Sequence, residues 1–95
     1  MLGKFTATPG NGAALADRLL QAAARMAEAP GCLQYYIYRG EGDDVWVSEV
    51  WVTKEDHDAS LELPSVREFI QETMPLIAGM ESVKVEPLGG HGPRG

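Results

Sequence analysis

Hydrophobic and polar positions alternate along four short segments of the chain, and between the first two segments the hydrophobic positions recur at helical spacing. The alternating segments are residues 2–8, 32–39, 46–52 and 81–88. A period of two is typical of β-strands with one face against a core, and a period near 3.6 is typical of amphipathic helices. Asn11 is a candidate N-cap, and the apolar stripe that follows it predicts a helix lying on a sheet.

The second and third strands are separated by a short, acidic, glycine-containing turn at residues 40–44, which predicts an antiparallel hairpin. The register of this hairpin depends on the length of its loop. If the turn is centred on the Gly-Asp pair at 42–43, three cross-strand pairs share one face: Gln34 with Trp51, Tyr36 with Glu49, and Tyr38 with Val47. A loop of three residues would instead place the same tyrosines on the opposite face.

A capping-box pattern ends the third strand and predicts the start of a helix. Thr53 is followed three residues later by Asp56, and the helix that begins here carries His57, Ser60 and Leu61. The end of a strand and the first turn of a helix are thereby brought close together.

A further helix is predicted with Ser65 and Glu68 as a second capping box. Its expected buried stripe consists of Val66, Phe69, Ile70 and Met74. Pro75 ends or kinks this helix, because proline lacks an amide proton. Pro87 predicts that the last strand ends there or lies at a sheet edge.

The predicted order of strand, helix, strand, strand, helices and strand corresponds to the split βαβ arrangement of ferredoxin-like folds. We therefore expect an α+β domain over residues 1–88, with helices on one face of a four-stranded antiparallel sheet, and a flexible tail over residues 89–95. The other face would carry Tyr35, Ile37, Trp46, Val50 and Val52. Because so apolar a face is unfavourable in water, we expect a homodimer formed through it.

Composition and charge narrow the class of protein. The 95 residues, 44% of them hydrophobic, suit one small globular domain, and no apolar run approaches the roughly 18 residues of a membrane span. The net charge of −6 has the wrong sign for binding nucleic acid or an anionic membrane surface. The first residues lack the pattern of a secretory signal, so we expect a cytoplasmic location. The single cysteine, Cys32, is expected to be a small core residue.

Several kinds of chemistry lack their sequence signatures. No glycine-rich fingerprint follows a strand and opens a helix, so no nucleotide site is indicated. No serine nucleophile elbow is present, and with only His57 and His91 the chain has little from which to build a triad or a metal site. The sequence Asp56-His57-Asp58 superficially suggests metal binding. Adjacent helical residues point in different directions, however, so we predict no metal site.

The residues most suited to chemistry lie where the third strand meets the next helix. Glu49 stands among apolar strand residues and needs a partner, either in a structural hydrogen bond or as a functional acid or base. His57 is either a partly exposed surface histidine or a pocket residue. Trp51 is either a core residue or the wall of a ligand cavity. Because one short connection joins them, we predict that all three border one cavity between sheet and helices.

Several segments together resemble the antibiotic biosynthesis monooxygenase family. The similarity runs from Pro9-Gly10 through residues 29–33, Glu49-Val-Trp51 and residues 59–69 to the final strand. Residues 54–61, Lys-Glu-Asp-His-Asp-Ala-Ser-Leu, are similar to the quinol monooxygenase branch. The resemblance implies a ferredoxin-like dimer whose sheets pack into an α/β barrel, with a ligand cavity in each subunit. It also implies oxidation of quinols or polycyclic phenols without flavin, haem or metal.

The chain departs from that family at positions that matter for mechanism. Many relatives carry histidines where this chain has Ser60 and Ser65, so a mechanism that uses those imidazoles is disfavoured. Haem-degrading relatives use an asparagine, a tryptophan and a histidine that align with Gly3, Ser60 and Ile70. Haem degradation is therefore not expected.

These considerations predict a cofactor-independent monooxygenase whose partners are a small aromatic substrate, molecular oxygen and a second copy of the chain. The expected catalytic residues are Glu49 and His57, either of which can act as the base near neutral pH. The expected substrate-binding residues are Trp51, Tyr36, Tyr38, Ser60 and Phe69. The alternative is a non-catalytic dimeric domain that binds a small aromatic ligand, because fold alone does not establish function.

Overall fold

Four strands form one antiparallel sheet with helices on one of its faces. The computed structural model describes residues 1–86 and 88–91. In chain order the elements are β1 (Leu2–Ala7), α1 (Gly12–Met26), β2 (Cys32–Arg39), β3 (Asp44–Trp51), α2 (Lys54–Ser60), α3 (Pro64–Thr73), a 3-10 turn (Met74–Leu76) and β4 (Ile77–Val83). The strand order is β2-β3-β1-β4, which confirms the predicted ferredoxin-like α+β fold. None of the helices in the described ranges is long and apolar enough to cross a membrane.

The core lies between the covered face of the sheet and α1. Val45 and Val47 of β3 are fully buried and pack with Leu15 of α1. Removing such a side chain from water stabilises the fold by about 1.5–3 kcal/mol. Because strand side chains alternate between faces, Glu49 and Trp51 project to the same side as these valines. The predicted alternation of β3 is confirmed, and it directs an acid toward the helices.

The β2–β3 hairpin has a three-residue loop, residues 41–43, instead of a two-residue turn. The amide of Gly40 donates to the carbonyl of Asp44 at 2.9 Å, which closes the loop. Gly42 has a φ of 57°, a left-handed conformation that glycine adopts without steric cost. The loop therefore contains one residue more than the turn assumed in the sequence-based register.

That extra residue moves every side chain of β2 to the other face of the sheet. Tyr35 is opposite Glu49, whereas Tyr36 is opposite Ser48 and Tyr38 is opposite Trp46. The predicted pairing of Tyr36 with Glu49 and of Tyr38 with Val47 is therefore wrong. Likewise, Gln34 is opposite Val50 and not Trp51.

The two predicted capping boxes have different outcomes. The Thr53 hydroxyl accepts a hydrogen bond from the amide of Asp56 at 3.1 Å, so Thr53 is confirmed as the N-cap of α2. The second, at Ser65, is wrong because α3 already begins at Pro64 and no side chain caps it. Proline is favoured at the first helical position, since its φ is already helical and no amide proton is needed there.

The buried face of α3 also differs from the predicted stripe. Val66 and Phe69 are buried, but Thr73 takes the place of Ile70 and Met74, which are 40% and 53% exposed. The Thr73 hydroxyl donates to the carbonyl of Phe69 at 2.8 Å, which satisfies this buried polar group. Ile70 and Met74 instead line an open space between the helices and the sheet.

The last strand begins earlier than its sequence pattern predicts. β4 spans Ile77–Val83 instead of residues 81–88, because it pairs antiparallel with the whole length of β1. Residues 84–86 and 88–90 have no regular secondary structure. The predictions for Pro87 and for residues 92–95 of the tail lie outside the described residues.

The face of the sheet opposite the helices is aromatic and partly exposed. Its side chains include Tyr36, Tyr38, Trp46 and Val50. The ammonium group of Lys4 lies 5.7 Å from the centroid of the Trp46 ring and covers part of it. Tyr35 and Ile37, which the sequence pattern assigned to this face, pack against the core on the other side. A second copy on the open face stays a prediction.

Candidate active site

A cavity of about 330 Å³ lies between the sheet and the helices. Much of its wall is apolar and includes Phe5, Leu19, Phe69, Ile70 and Met74. One polar side is formed where β2, β3 and α2 meet, by Tyr35, Glu49, His57 and Ser60. Ligand pockets typically combine an apolar wall with a few converging polar groups. The space is therefore suited to an aromatic molecule with polar substituents.

Glu49 is held at this wall through both its backbone and its carboxylate. Only 12% of its side chain is exposed. The indole nitrogen of Trp51 donates a hydrogen bond to Oε1 at 3.2 Å. The Glu49 amide donates to the carbonyl of Met1 at 2.8 Å, which fixes this part of β3. The acid thus has the partner that burial requires, but that partner is Trp51 and not the predicted Tyr36.

His57 faces Glu49 from α2. The capped start of this helix lies so close to the end of β3 that the imidazole Nε2 is 3.8 Å from Oε1 of Glu49. The His57 ring lies edge-on to Trp51, with 5.5 Å between the ring centroids. Its other nitrogen, Nδ1, is 3.2 Å from Oδ1 of Asp58. With 22% of its side chain exposed, His57 is a pocket residue and not a fully solvated one.

Trp51 borders a second, smaller pocket and does not line the cavity of about 330 Å³, which we call the main cavity. This pocket has a volume of about 260 Å³ and lies around the end of β3 and the start of α2. Glu49 and His57 line both spaces, whereas Lys54 and Lys84 reach only the smaller one. The three residues predicted to share a cavity therefore meet at the smaller pocket, and two of them also face the main cavity.

Tyr35 is a cavity residue that the sequence-based register placed on the wrong face. It lies opposite Glu49 and packs against both parts of the core. Burial, and then the charges of Glu49 and Cys32, raise the pKa of its hydroxyl well above the ordinary tyrosine value. Tyr35 is therefore a neutral hydrogen-bond donor at physiological pH. The length of the hairpin loop was the signal that could have identified it.

Two other groups near the site are held in one protonation state. Burial, and then the charge of Glu49, raise the pKa of the Cys32 thiol, so this side chain stays protonated near neutral pH. A hydrogen bond from His57, and then one from Lys54, lower the pKa of the Asp58 carboxyl. Asp58 is therefore ionised at neutral pH, with both of its oxygens engaged.

The remaining predicted substrate-binding residues lie on two different faces of the sheet. Ser60 and Phe69 line the main cavity, and the Ser60 hydroxyl donates to the carbonyl of His57 at 2.6 Å. Tyr36 and Tyr38 lie on the open face and line neither of the two spaces. The three-residue hairpin loop is the physical reason for this separation, because it reverses the faces of β2.

The carboxylates of Glu49 and Asp58 and the imidazole of His57 do not point toward a common centre. Glu49 and Asp58 approach different ring nitrogens of His57, so their oxygens lie on different sides of the ring. Within residues 1–86 and 88–91, no group of three or more His, Cys, Asp and Glu side chains is arranged to hold a metal ion.

Comparisons with known proteins agree with the fold. The sequence profile of the family described as Antibiotic biosynthesis monooxygenase matches residues 1–72. A solved structure from Chloroflexus aurantiacus J-10-fl, assigned to that family, is 41% identical and has a TM-score of 0.83, covering 96% of this chain and 93% of its own.

More distant solved structures share the fold alone. One from Deinococcus radiodurans is 21% identical, with a TM-score of 0.78 and coverage of 96% of each chain. One from Nitrosomonas europaea is 14% identical, with a TM-score of 0.84 and coverage of 96% of this chain and 90% of its own. Among curated proteins, none shows significant similarity to this sequence.

Proposed function

Because this chain belongs to the antibiotic biosynthesis monooxygenase family, we propose that it is a cofactor-independent monooxygenase acting on a quinol or polycyclic phenol. The observation that carries the proposal is the mostly buried Glu49 carboxylate, which faces an apolar cavity of about 330 Å³ beside the His57 imidazole. The substrate would lie in this cavity, between the sheet and the helices. Ligand pockets range from about 300 to 1,000 Å³, so the cavity suits a compact fused-ring molecule.

In this reaction the substrate itself supplies the electrons. A quinol and molecular oxygen yield a hydroxyquinone and water, so that one oxygen atom enters the ring and the other leaves as water. The quinol loses four electrons, and oxygen gains four. Removing a phenolic proton makes the ring electron-rich enough to reduce oxygen. The protein has to bind the molecule, take its proton and exclude bulk water.

The residues of the cavity match these three tasks. Glu49 is the proposed base, because its carboxylate is mostly buried and Trp51 binds only its Oε1 atom. Tyr35 donates a hydrogen bond to an oxygen of the substrate, since its own hydroxyl stays protonated. Phe69 and the other apolar side chains of the wall contact the rings and keep water out. His57 is the second titratable group beside the substrate.

A homodimer is part of the proposal. The open face of the sheet presents Tyr36, Tyr38, Trp46 and Val50. Burying this surface against a second copy would remove an apolar patch from water. Tyr36 and Tyr38 would then contribute to the dimer interface and not to the cavity of their own chain.

Oxygen uptake with a panel of quinols tests the proposed function. Naphthoquinols and anthracene-type phenols, prepared without oxygen, should consume equimolar oxygen faster than they oxidise spontaneously, and hydroxyquinones should form. Activity should persist after metal chelation and in protein without a visible chromophore. Tight binding of the same compounds without oxygen uptake would contradict the proposal and favour a non-catalytic domain that binds aromatic ligands.

A further inference from the structure

Three side chains lead from the main cavity to the surface of α2. Glu49 is 12% exposed, His57 is 22% exposed and Asp58 is 53% exposed. The His57 ring lies between the two acids, with Nε2 3.8 Å from Oε1 of Glu49 and Nδ1 3.2 Å from Oδ1 of Asp58. Each ring nitrogen thus faces a different carboxylate, one inside the protein and one at its surface.

The distances indicate which nitrogen of the neutral ring carries the proton. Nδ1 is within hydrogen-bond range of Asp58, and an ionised carboxylate only accepts, so Nδ1–H is the donor. Nε2 then presents its lone pair toward Glu49. At 3.8 Å that contact is too long for a hydrogen bond, as expected when neither atom holds a proton. Oε1 of Glu49 instead accepts from the indole of Trp51.

We propose that Asp58 is a positioning residue that holds the His57 ring with Nδ1–H toward the surface and Nε2 toward Glu49. In this orientation His57 carries the substrate proton from Glu49 to solvent. The orientation concerns the free protein, whereas the proton transfer rests on the proposed function.

The proton moves in balanced steps. The O–H bond of the substrate breaks, its electron pair stays on the phenolate oxygen, and the proton binds a carboxylate oxygen of Glu49. Glu49 then passes the proton to Nε2 of His57, which restores the carboxylate and leaves an imidazolium between two negative charges. The imidazolium then releases the Nε2 proton to water in the smaller pocket, which Glu49 and His57 also line, while Nδ1 keeps its proton and its hydrogen bond to Asp58. The carboxylate of Glu49 is thereby regenerated while bulk water stays out of the main cavity.

Charged and titratable groups from several elements line the two pockets that His57 borders or contact its ring. They are Met1 with its α-ammonium, Tyr35 of β2, Glu49 of β3, Lys54 and Asp58 of α2, Glu81 of β4, and Lys84 after β4. Lys54 binds Oδ2 of Asp58 at 3.1 Å, which leaves Oδ1 for His57. The hydrogen bonds from His57 and Lys54 lower the pKa of Asp58. Asp58 therefore stays ionised, and it orients the ring instead of storing the proton.

Nitrogen-15 NMR of the histidine rings tests the positioning role without any substrate. At a pH where His57 is neutral, long-range proton–nitrogen spectra should show the Nδ1–H tautomer in the wild type. Asp58→Ala should shift the ring toward Nε2–H, because the acceptor that fixes it is gone. Glu55→Gln, which removes an exposed carboxylate from the same helix, should leave the tautomer unchanged. A wild-type Nε2–H ring, or a ring unaffected by Asp58→Ala, would overturn the proposal.

Quinol turnover tests the proton transfer. Asp58→Ala should lower kcat about tenfold with little change in KM, because a slowed proton exit affects turnover and not binding. Asp58→Glu should restore part of the rate, and so should added imidazole, which can accept the proton at the smaller pocket. A changed tautomer with full kcat would overturn the transfer while leaving the proposed function intact. If the wild type consumes no oxygen, the transfer fails together with the proposed function, and the NMR result alone decides the positioning role.

Discussion

The two faces of β3 support different properties of the molecule. On the covered face, Val47 is fully buried and Glu49 lies next to it along the same face, at the wall of the cavity. On the open face, Trp46, Ser48 and Val50 are only partly buried and none of them lines the main cavity, although Val50 borders the smaller pocket. Because successive side chains point to opposite faces, one strand can contribute a reaction site on one side and an interface on the other. Substitutions on the two faces should therefore have separable effects.

Glu49→Gln should give the largest effect, and it acts on the covered face alone. Glutamine can still accept the hydrogen bond from Trp51 but cannot take a proton at neutral pH, so quinol turnover should fall by about 100-fold or more. Circular dichroism and sedimentation should match the wild type. Glu55→Gln serves as the control for the change of charge. Wild-type oxygen uptake by Glu49→Gln would remove Glu49 from the mechanism.

Val47→Ala and Val50→Ala compare the two faces in stability. Val47 is 1% exposed, so its truncation leaves a cavity in the core and should cost about 2 kcal/mol. Val50 lies on the open face, so within one subunit its truncation should cost less than about 1 kcal/mol. Urea unfolding at a protein concentration low enough to keep the chain monomeric measures both values, since a dimer would bury Val50 as well and make stability concentration-dependent. Equal losses would contradict the contrast between the faces.

Trp46→Ala tests the open face as an interface. Removing this aromatic side chain should weaken self-association by about tenfold or more, because large aromatic residues dominate interface energetics. Sedimentation across a range of concentrations gives the dissociation constant, and Leu20→Ala, on the exposed side of α1, is a control. A wild type that sediments as a single 10.3 kDa species at micromolar concentration would rule out the dimer.

Tyr35→Phe should have the smallest effect. It tests a second polar side chain on the covered face, opposite Glu49. Loss of the donor should raise KM about fivefold, the magnitude of one neutral hydrogen bond. The substitution should also change the pH dependence of stability. Folding raises the pKa of the Tyr35 hydroxyl. Above about pH 10 the unfolded chain therefore releases a proton that the folded chain retains, and the free energy of unfolding of the wild type falls.

Tyr35→Phe should therefore lose less stability than the wild type between pH of about 9 and 11, as thermal unfolding at each pH would show. Tyr36→Phe, on the open face, is the matched control. Identical pH profiles for Tyr35→Phe and the wild type would mean that the Tyr35 hydroxyl is not in a distinct environment.

Local sequence determined the types of the elements and two relationships within the site. A period of two in β3 placed Glu49 and Trp51 on one face, and the pair Thr53 and Asp56 set the start of the helix that carries His57. Both relationships depend on residues only a few positions apart, so they can be read without knowing the rest of the fold. The combined segments also indicated the family.

Only the tertiary structure decided which residues meet across elements. One additional loop residue between β2 and β3 brought Tyr35 to the cavity and took Tyr36 to the open face, and pairing with β1 moved the start of β4 to Ile77. An alternating pattern shows which residues of a strand share a face, but not which face of the neighbouring strand they share. The sequence of β2 is therefore compatible with either register. The contacts of His57 with an acid on each side depend likewise on where α2 lies against β3, which packing of the whole chain determines and local propensity does not.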